Sequence, residues 1–351
     1  MNKHGGYTGE SEHIKDHSIN INPFKLPSEI RNLIYRKIDV LGNYPEVDGK
    51  KAAKLLADHI GLESKNMILG NGATELIYLF ARTMKFSRAL IVEPTFSEYR
   101  RAFKLAGTEV CRKYLLNEKY EISIENLISL LYEDNYDVVV ICRPNNPTGK
   151  GIEIETLKIL INKLKERNIW LFLDESFIEF SDSESFLNNG DLDKVFILHS
   201  MTKIYGVPGL RLGYGASNEE CIEKLYVNKE PWTLNTFALS LLEEIETLEA
   251  FGKNTKEQIK SQKNMVLGEL VKFDEFEIFE TETNFLFGKM KHNTSIEFQK
   301  ALLEKGYYIR TCEEFFGLDE SFFRIAIRTE SENKGLIKAI RECMEELKCQ
   351  N

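Results

Sequence analysis

The sequence of 351 residues lacks any apolar run of about 18 residues, the minimum length for a helix that spans a membrane. Its amino-terminal stretch also lacks the apolar central region that secretory signal peptides carry. These two absences exclude an integral membrane protein of the helical kind and a classically secreted one. We therefore expect no membrane partner and a cytoplasmic location.

Paired cysteines are also lacking. The six cysteines stand at positions 111, 142, 221, 312, 343 and 349, and no two of them form a CxxC pair. No Cys/His spacing is typical of a zinc site, and scattered free thiols suit a reducing cytosol. His13 and His17 have the i, i+4 spacing of metal ligands on a helix. No acidic third ligand is evident nearby, so a polar amino-terminal segment is the favoured interpretation.

The chain has no excess of positive charge. Its 46 Lys and Arg residues against 55 Asp and Glu residues give a net charge of −9. This balance disfavours nucleic acids and anionic membranes as partners. No internal repeat or low-complexity tract is present. A chain of this length and ordinary composition can form a large core, and we expect two domains.

From about residue 50 onward, the sequence alternates between strand-like and helical segments. Near-continuous apolar strands joined by helices predict an α/β fold with a mostly parallel sheet that helices cover on both faces. Binding sites in such sheets lie beyond the carboxyl ends of the strands. The predicted strands are 67–69, 89–92, 137–142, 170–173 and 195–199, and the predicted helices are 51–59, 73–84, 96–106 and 153–167.

After about residue 236, the pattern predicts a smaller α+β unit. A long helix is expected to continue to about residue 271, and the last helix is expected to begin near Ser331. The strand-like segments of this part are 285–287, 307–309 and 323–327. The predicted domains are an amino-terminal arm with part of the small domain (1–40), a large domain (41–236) and a small carboxy-terminal domain (237–351).

Polar residues that suit a phosphorylated aldehyde with a pyridine ring follow the predicted strands. Lys203 follows the strand 195–199, and its amine can form an imine with an aldehyde. Asp174 ends the strand 170–173, where a buried carboxylate needs a cationic partner such as a pyridinium nitrogen. Asn146 can donate a hydrogen bond to a phenolate oxygen of the same ring. Each residue alone could be structural, but their occurrence in order after successive strands favours a shared site.

Two segments offer groups that bind phosphate. Ser200 and Arg211 lie on either side of the lysine and supply a hydroxyl and a guanidinium. The segment Gly70-Asn71-Gly72-Ala73-Thr74-Glu75 opens a predicted helix, whose free N–H groups and positive end attract anions. It nearly matches the dinucleotide fingerprint GxGxxG. Because Glu75 stands in place of the third glycine, a nicotinamide cofactor is disfavoured.

Together these segments resemble the fold-type I pyridoxal-phosphate enzymes, the aspartate aminotransferase superfamily, over nearly the whole chain. The resemblance implies the fold of that superfamily and pyridoxal 5′-phosphate as cofactor. It implies that Lys203 binds the cofactor covalently, that Asp174 binds the pyridine nitrogen and that Asn146 binds the phenolate oxygen O3′. The other cofactor contacts that it implies come from Gly72, Ala73, Thr74, Phe96, Ser200 and Arg211.

Two aromatic positions extend the resemblance. Tyr44, in Asn43-Tyr44-Pro45, resembles a tyrosine that reaches the cofactor phosphate from the partner subunit, which implies a homodimer with shared active sites. Phe177 stands where many relatives have a tyrosine whose hydroxyl bonds O3′. Phenylalanine has no hydroxyl, so Asn146 is expected to hold O3′ with less help.

Within the superfamily, the sequence resembles the L-threonine O-3-phosphate decarboxylases of cobalamin biosynthesis. Histidinol-phosphate aminotransferases form a sister family that shares the general frame. The segments that carry the closer resemblance are His4-Gly5-Gly6, Asn20-Ile21-Asn22-Pro23, Asp174-Glu175-Ser176-Phe177, Thr202-Lys203-Ile204-Tyr205-Gly206-Val207-Pro208-Gly209 and Glu230-Pro231-Trp232-Thr233-Leu234-Asn235.

The resemblance also implies substrate-binding residues. Arg324 matches the arginine that binds the α-carboxylate of the substrate, and Arg310 and His4 are candidates for its phosphate. Asn20 is a further substrate-binding candidate. Arg328 is predicted to share a strand face with Arg324, where it either flanks the site or is solvated at an edge.

Three functions are compatible with the sequence. The favoured one is decarboxylation of a phosphorylated amino acid, most closely L-threonine O-3-phosphate to (R)-1-amino-2-propanol O-2-phosphate. The second is an aminotransferase acting on histidinol phosphate or another amino acid. The third is a non-catalytic binding or regulatory protein on the same scaffold, which the intact Lys203, Asp174, Asn146 and Arg211 disfavour.

Overall fold

A computed structural model describes residues 5–9 and 13–349 of the chain. Its strands are β1 (Lys15–Asp16), β2 (Met67–Asn71), β3 (Arg88–Glu93), β4 (Glu109–Tyr114), β5 (Val138–Cys142), β6 (Trp170–Asp174), β7 (Val195–Ser200), β8 (Leu212–Ala216), β9 (Phe276–Phe279), β10 (Phe285–Met290), β11 (Tyr307–Tyr308), β12 (Arg310–Thr311) and β13 (Phe322–Ala326). Its helices are α1 (Ser28–Lys37), α2 (Lys50–Ile60), α3 (Gly72–Met84), α4 (Ser97–Leu105), α5 (Ile124–Glu133), α6 (Ile154–Glu166), α7 (Met201–Ile204), α8 (Glu219–Asn228), α9 (Thr236–Leu241), α10 (Ile245–Leu270), α11 (Ser295–Glu304) and α12 (Glu330–Cys349).

The larger sheet has the strand order β2-β8-β7-β6-β5-β3-β4. Its strands all run in one direction except β8, which is antiparallel to both of its neighbours. Every residue of β5 is buried, because α3 and α4 cover one face of the sheet and α5 and α6 cover the other. Burial on both faces explains why these strands are continuously apolar rather than alternating. The predicted fold class is confirmed.

The topology brings the predicted site residues to one edge of this sheet. In the register of the central strands, Cys142 lies opposite Asp174, and Ser200 lies opposite Gly213. A side chain at Gly213 would place its Cβ only 2.6 Å from the backbone nitrogen of Ala73. Glycine therefore allows the amino-terminal end of α3 to approach β8, at the edge where β6 and β7 end.

The smaller sheet has the strand order β12-β13-β10-β9 and is antiparallel throughout. Helices α10, α11 and α12 pack against it around a core that includes Phe285, Phe298 and Phe323. The amino-terminal segment joins this part, because β1 pairs with β11 and the backbone of Ala326 donates to the carbonyl of His17 at 2.8 Å. The domain boundaries stay a prediction.

Two predicted elements were wrong in detail. The helix expected over 236–271 is interrupted by a 3-10 turn at Leu242–Glu244, which lets both Leu242 and Leu248 reach the same buried cluster. The strand expected over 307–309 ends at Tyr308 and belongs to a separate two-stranded sheet, since β11 pairs with β1, while the next strand, β12, pairs with β13. In both places long-range packing overrides the local pattern.

Across residues 5–9 and 13–349, no helix is long and apolar enough to cross a membrane. Over the same residues, no three His, Cys, Asp or Glu side chains are grouped as metal ligands would be. His17 is instead completely buried, and its Nδ1 lies 2.9 Å from the carbonyl oxygen of Ala326.

Acid is expected to destabilise the fold through His17. Burial lowers the pKa of its imidazole to about 4 from 6.5, so the unfolded chain binds a proton more readily than the folded one. The resulting stabilisation is complete above about pH 6.5 and is lost as the pH falls toward about 4, a loss of roughly 3 kcal/mol. Urea unfolding at pH 7 and pH 5 measures the free energy of unfolding at each pH. This free energy should decrease less between pH 7 and pH 5 for His17→Asn than for the unchanged protein. Equal decreases in the two proteins would show that a group other than His17 causes the acid sensitivity.

Candidate active site

Lys203 lies in the first turn of α7, directly after β7. Its Nζ is 4.9 Å from the centre of the Phe177 ring, and the side chain is only partly exposed. Burial lowers the pKa of the amine, although the nearby carboxylates of Asp174 and Glu179 act in the opposite direction. A lowered pKa leaves more of the amine unprotonated at neutral pH, as a nucleophile requires.

Asp174 ends β6 and is almost completely buried. Its Oδ2 accepts a hydrogen bond of 2.6 Å from the Tyr99 hydroxyl, and its Oδ1 accepts one of 2.7 Å from the backbone of Ser176. Burial raises the pKa of Tyr99 well above its usual value, so its hydroxyl stays protonated and donates. The sequence analysis missed Tyr99. By its sequence pattern Tyr99 is an ordinary core aromatic, so no local signal identified it.

A cavity of about 140 Å³ brings most of the predicted cofactor contacts together. The first turn of α3, Ser200 and Arg211 are part of its wall. Gly72 has φ +72°, and a side chain there would collide with Arg211. Glycine is therefore required for the arginine to approach the positive end of the helix. The predicted residues that line the cavity are Ala73, Thr74, Phe96, Asn146, Asp174, Ser200, Lys203 and Arg211.

Asn146 connects this cavity to Arg324. The asparagine Oδ1 accepts a hydrogen bond from Nη1 of Arg324, so its amide nitrogen stays available as a donor. Arg324 also donates from Nη2 to the carbonyl of Ser18 at 2.7 Å. Burial lowers the pKa of the guanidinium to about 10, which leaves it charged at neutral pH.

A second cavity of about 380 Å³ adjoins the first and shares Lys203, Asn146 and Arg211 with it. Arg324, Arg310 and Asn20 also line it. Within the described part of the chain, Nε of Arg324 and Oδ1 of Asn20 are buried without a hydrogen-bond partner. Buried polar atoms are seldom left without a partner in folded proteins.

Three predicted positions lie elsewhere. Tyr44 is 82% exposed, and its ring packs on Trp232 at 5.2 Å between centroids, away from the cavities of its own chain. The prediction that Arg328 shares a strand face with Arg324 was wrong, because β13 ends at Ala326 and Arg328 pairs with Glu332 at 3.0 Å. His4 lies outside the described residues.

A sequence profile of the family "Aminotransferase class I and II" matches residues 16–340. The chain belongs to this family. Enzymes of the family depend on pyridoxal phosphate, as the resemblance implied.

Within the class I and II aminotransferase family, the chain is similar to the following two relatives and one solved structure. A provisionally named threonine-phosphate decarboxylase of Caldanaerobacter subterraneus subsp. tengcongensis is 37% identical over 93% of this chain and 89% of its own. The threonine-phosphate decarboxylase of Salmonella typhimurium is 30% identical over 97% of this chain and 96% of its own. The crystal structure of the histidinol-phosphate aminotransferase of Clostridium acetobutylicum, 31% identical, superimposes with a TM-score of 0.86 over 94% of this chain and 99% of its own.

The cavity fits the family's cofactor. An amine and a buried carboxylate line the same small cavity, as an aldehyde carbon and a pyridine nitrogen on one ring require. The first turn of α3, Ser200 and Arg211 also line this cavity, and a helix amino terminus, a hydroxyl and a guanidinium are groups that bind phosphate. The Tyr99 hydroxyl donates a hydrogen bond to the Asp174 carboxylate and so fixes its position. The residues that line the cavity of this family member therefore suit an aldehyde carbon, a pyridine nitrogen and a phosphate.

Proposed function

We propose that the protein decarboxylates L-threonine O-3-phosphate to (R)-1-amino-2-propanol O-2-phosphate, a step of cobalamin biosynthesis. The observation that carries this proposal is the pair of arginines, Arg324 and Arg310, in the cavity next to Lys203. The substrate has two anionic groups, a carboxylate and a phosphate. Two guanidinium groups beside the reactive amine suit such a substrate. The similarity to threonine-phosphate decarboxylases supports the same conclusion.

In this proposal each cavity residue has one role toward the cofactor. Lys203 holds the aldehyde carbon, Asp174 holds the pyridine nitrogen and Asn146 donates to O3′. Phe96 packs against the ring. The residues that would hold the cofactor phosphate are Gly72, Ala73, Thr74, Ser200 and Arg211, with Tyr44 of a second copy.

Bound pyridoxal phosphate supplies a ring that accepts the electron pair of the bond broken at the substrate Cα. Arg324 binds the substrate carboxylate, and Arg310 binds its phosphate, so that two contacts fix the torsion about the Cα–N bond. Decarboxylation requires the bond from Cα to the carboxylate to stand perpendicular to the ring. Binding energy from the remote phosphate is thereby used to orient the reacting bond. Once the substrate ammonium group has displaced Lys203 from the cofactor, the freed lysine would hold the proton that this group gave up, and it could donate that proton to Cα after carbon dioxide has left.

We further propose a cytoplasmic homodimer. Exposed apolar side chains are concentrated in the segment from α1 to Val47, where Tyr35, Leu41 and Tyr44 are each more than half exposed. A second copy that covers this segment would bury these side chains, and it would bring Tyr44 to the neighbouring site. Sedimentation of the purified protein would test the dimer.

Transamination of histidinol phosphate is the second candidate, because a histidinol-phosphate aminotransferase is similar in structure at 31% identity. The two reactions share the cofactor and differ in the bond held perpendicular to the ring. An aminotransferase also needs a 2-oxo acid as acceptor, whereas the decarboxylase needs none.

Product analysis distinguishes the two candidates. Purified protein with pyridoxal phosphate is incubated with L-threonine phosphate, L-serine phosphate or histidinol phosphate, each with and without 2-oxoglutarate. We expect carbon dioxide and aminopropanol phosphate from L-threonine phosphate, at a rate that 2-oxoglutarate does not change. Glutamate formation from histidinol phosphate that requires 2-oxoglutarate, without carbon dioxide release, would overturn the proposal.

A further inference from the structure

Behind the active site, four charged side chains of alternating sign form one continuous chain. Nη1 of Arg143 donates to Oε1 of Glu175 at 2.6 Å. The other oxygen of Glu175 lies 3.2 Å from Nε2 of His199. Nδ1 of His199 lies 3.2 Å from Oε1 of Glu179. Arg143, Glu175 and His199 are almost completely buried, whereas Glu179 is about 29% exposed.

Members of this ionic chain adjoin the residues that form the site. Arg143 begins the turn that carries Asn146, Glu175 directly follows Asp174, and His199 directly precedes Ser200. The strands concerned, β5, β6 and β7, are neighbours in the sheet. The ionic chain therefore connects the carboxyl ends of three neighbouring strands.

His199 is the link between the two carboxylates. Burial disfavours its charged form, but the hydrogen bonds to Glu175 and Glu179 outweigh burial and raise the pKa of His199 to about 9. Burial likewise opposes ionisation of Glu175, and its bonds to His199 and Ser185 together with the charge of Arg143 reverse this and lower its pKa. At neutral pH His199 is therefore a cation and Glu175 an anion within the ionic chain.

Other titratable groups lie near His199 and Glu179. The ring of Tyr214 stacks on His199 with centroids 4.7 Å apart, and burial keeps this phenol protonated by raising its pKa. Besides burial, the pKa of the Lys203 amine is affected by Asp174, Cys142 and Arg211 as well as by Glu179. Glu179 follows Phe177, whose ring lies 4.9 Å from Nζ of Lys203, by two residues, and it lines one cavity with His199 and Ile204, the residue after Lys203.

We propose that His199 is a positioning residue. Its positive charge compensates the negative charge of Glu179, and its contact with Glu175 links the end of β7 to the end of β6. The negative charge of Asp174 is then the main electrostatic influence on the Lys203 amine. Without the imidazolium, the negative charge of Glu179 would act on the lysine uncompensated. This inference rests on the proposed function only in that the cofactor is bound through Lys203. It does not depend on which substrate is used.

Two variants with opposite electrostatic consequences test the inference. His199→Gln removes a positive charge, and Glu179→Gln removes the negative charge that it compensates. The visible absorbance of the lysine-bound cofactor is titrated with pH, which reports protonation at the Lys203 nitrogen. We expect the midpoint to shift to higher pH in His199→Gln and to lower pH in Glu179→Gln. Glu155→Gln, an exposed carboxylate on α6 that pairs with Lys158, is the matched control and should leave the midpoint unchanged.

A purely structural role for His199 would move both midpoints in the same direction or leave both unchanged, and either result overturns the inference. Glu179→Gln decides the question alone if His199→Gln does not fold, because Glu179 is at the exposed end of the ionic chain. An unchanged midpoint in Glu179→Gln is then the contradicting result. Opposite shifts in a protein that does not turn over L-threonine phosphate would overturn the proposed reaction and support this inference.

Discussion

Replacing Lys203 by alanine is expected to lower kcat/KM by about 10⁴-fold or more, since the variant loses the covalent bond to the cofactor and the group that returns the proton. The fold should persist. Lys203 is near the ring of Phe177 and partly exposed to a cavity, so its truncation removes little packing. Initial rates of carbon dioxide release from L-threonine phosphate give the ratio, and the visible absorbance band should disappear with the activity.

The matched control is Lys338→Ala, which truncates a lysine on α12 whose side chain is 81% exposed. It should retain the rate and the spectrum of the unchanged protein. If Lys203→Ala keeps a tenth or more of the activity while circular dichroism shows an intact fold, the role proposed for Lys203 is wrong.

The second large effect is expected for Arg324→Lys, which should lower kcat/KM by about 10²- to 10³-fold. Lysine keeps the charge but has no planar fork, so it cannot bind a carboxylate through two parallel hydrogen bonds. It also loses the bond to Asn146 and with it the orientation of that amide. Because the contact orients the reacting bond, kcat should fall as well as KM rise. Steady-state kinetics with L-threonine phosphate measure both.

Arg341→Lys is the control for this substitution, since Arg341 is an exposed residue of α12 that pairs with Glu269. Its kinetic constants should match those of the unchanged protein. A change in KM alone for Arg324→Lys, with kcat preserved, would show that the arginine binds substrate without orienting the bond that breaks.

The sequence was sufficient to predict the α/β class and the grouping of Asn146, Asp174 and Lys203 around one cavity. Parallel strands bring their carboxyl ends to one edge, so Asn146, Asp174 and Lys203 could be placed together from their positions after successive apolar segments. The reversed direction of β8 was not predictable from its own residues. It depends on pairing with both β2 and β7, which are distant in sequence.

Contacts behind the site were also beyond sequence analysis. Tyr99 is an ordinary core aromatic by pattern, and only the fold shows that its hydroxyl reaches Asp174. The link from His199 to Glu179 spans 20 residues and depends on the turn that follows β6. For Arg328 the sequence pattern predicted a position that the fold does not have, because strand periodicity was assumed to continue beyond Ala326, where β13 ends.

Chemical mapping of the lysine that binds the cofactor tests the central claim most directly. The protein is loaded with pyridoxal phosphate, reduced with borohydride to make the linkage permanent, and digested for mass spectrometry. The account predicts that the peptide containing Lys203 carries the reduced cofactor at stoichiometric yield. A label on another lysine, or an unlabelled Lys203 in protein that is catalytically active, would contradict it.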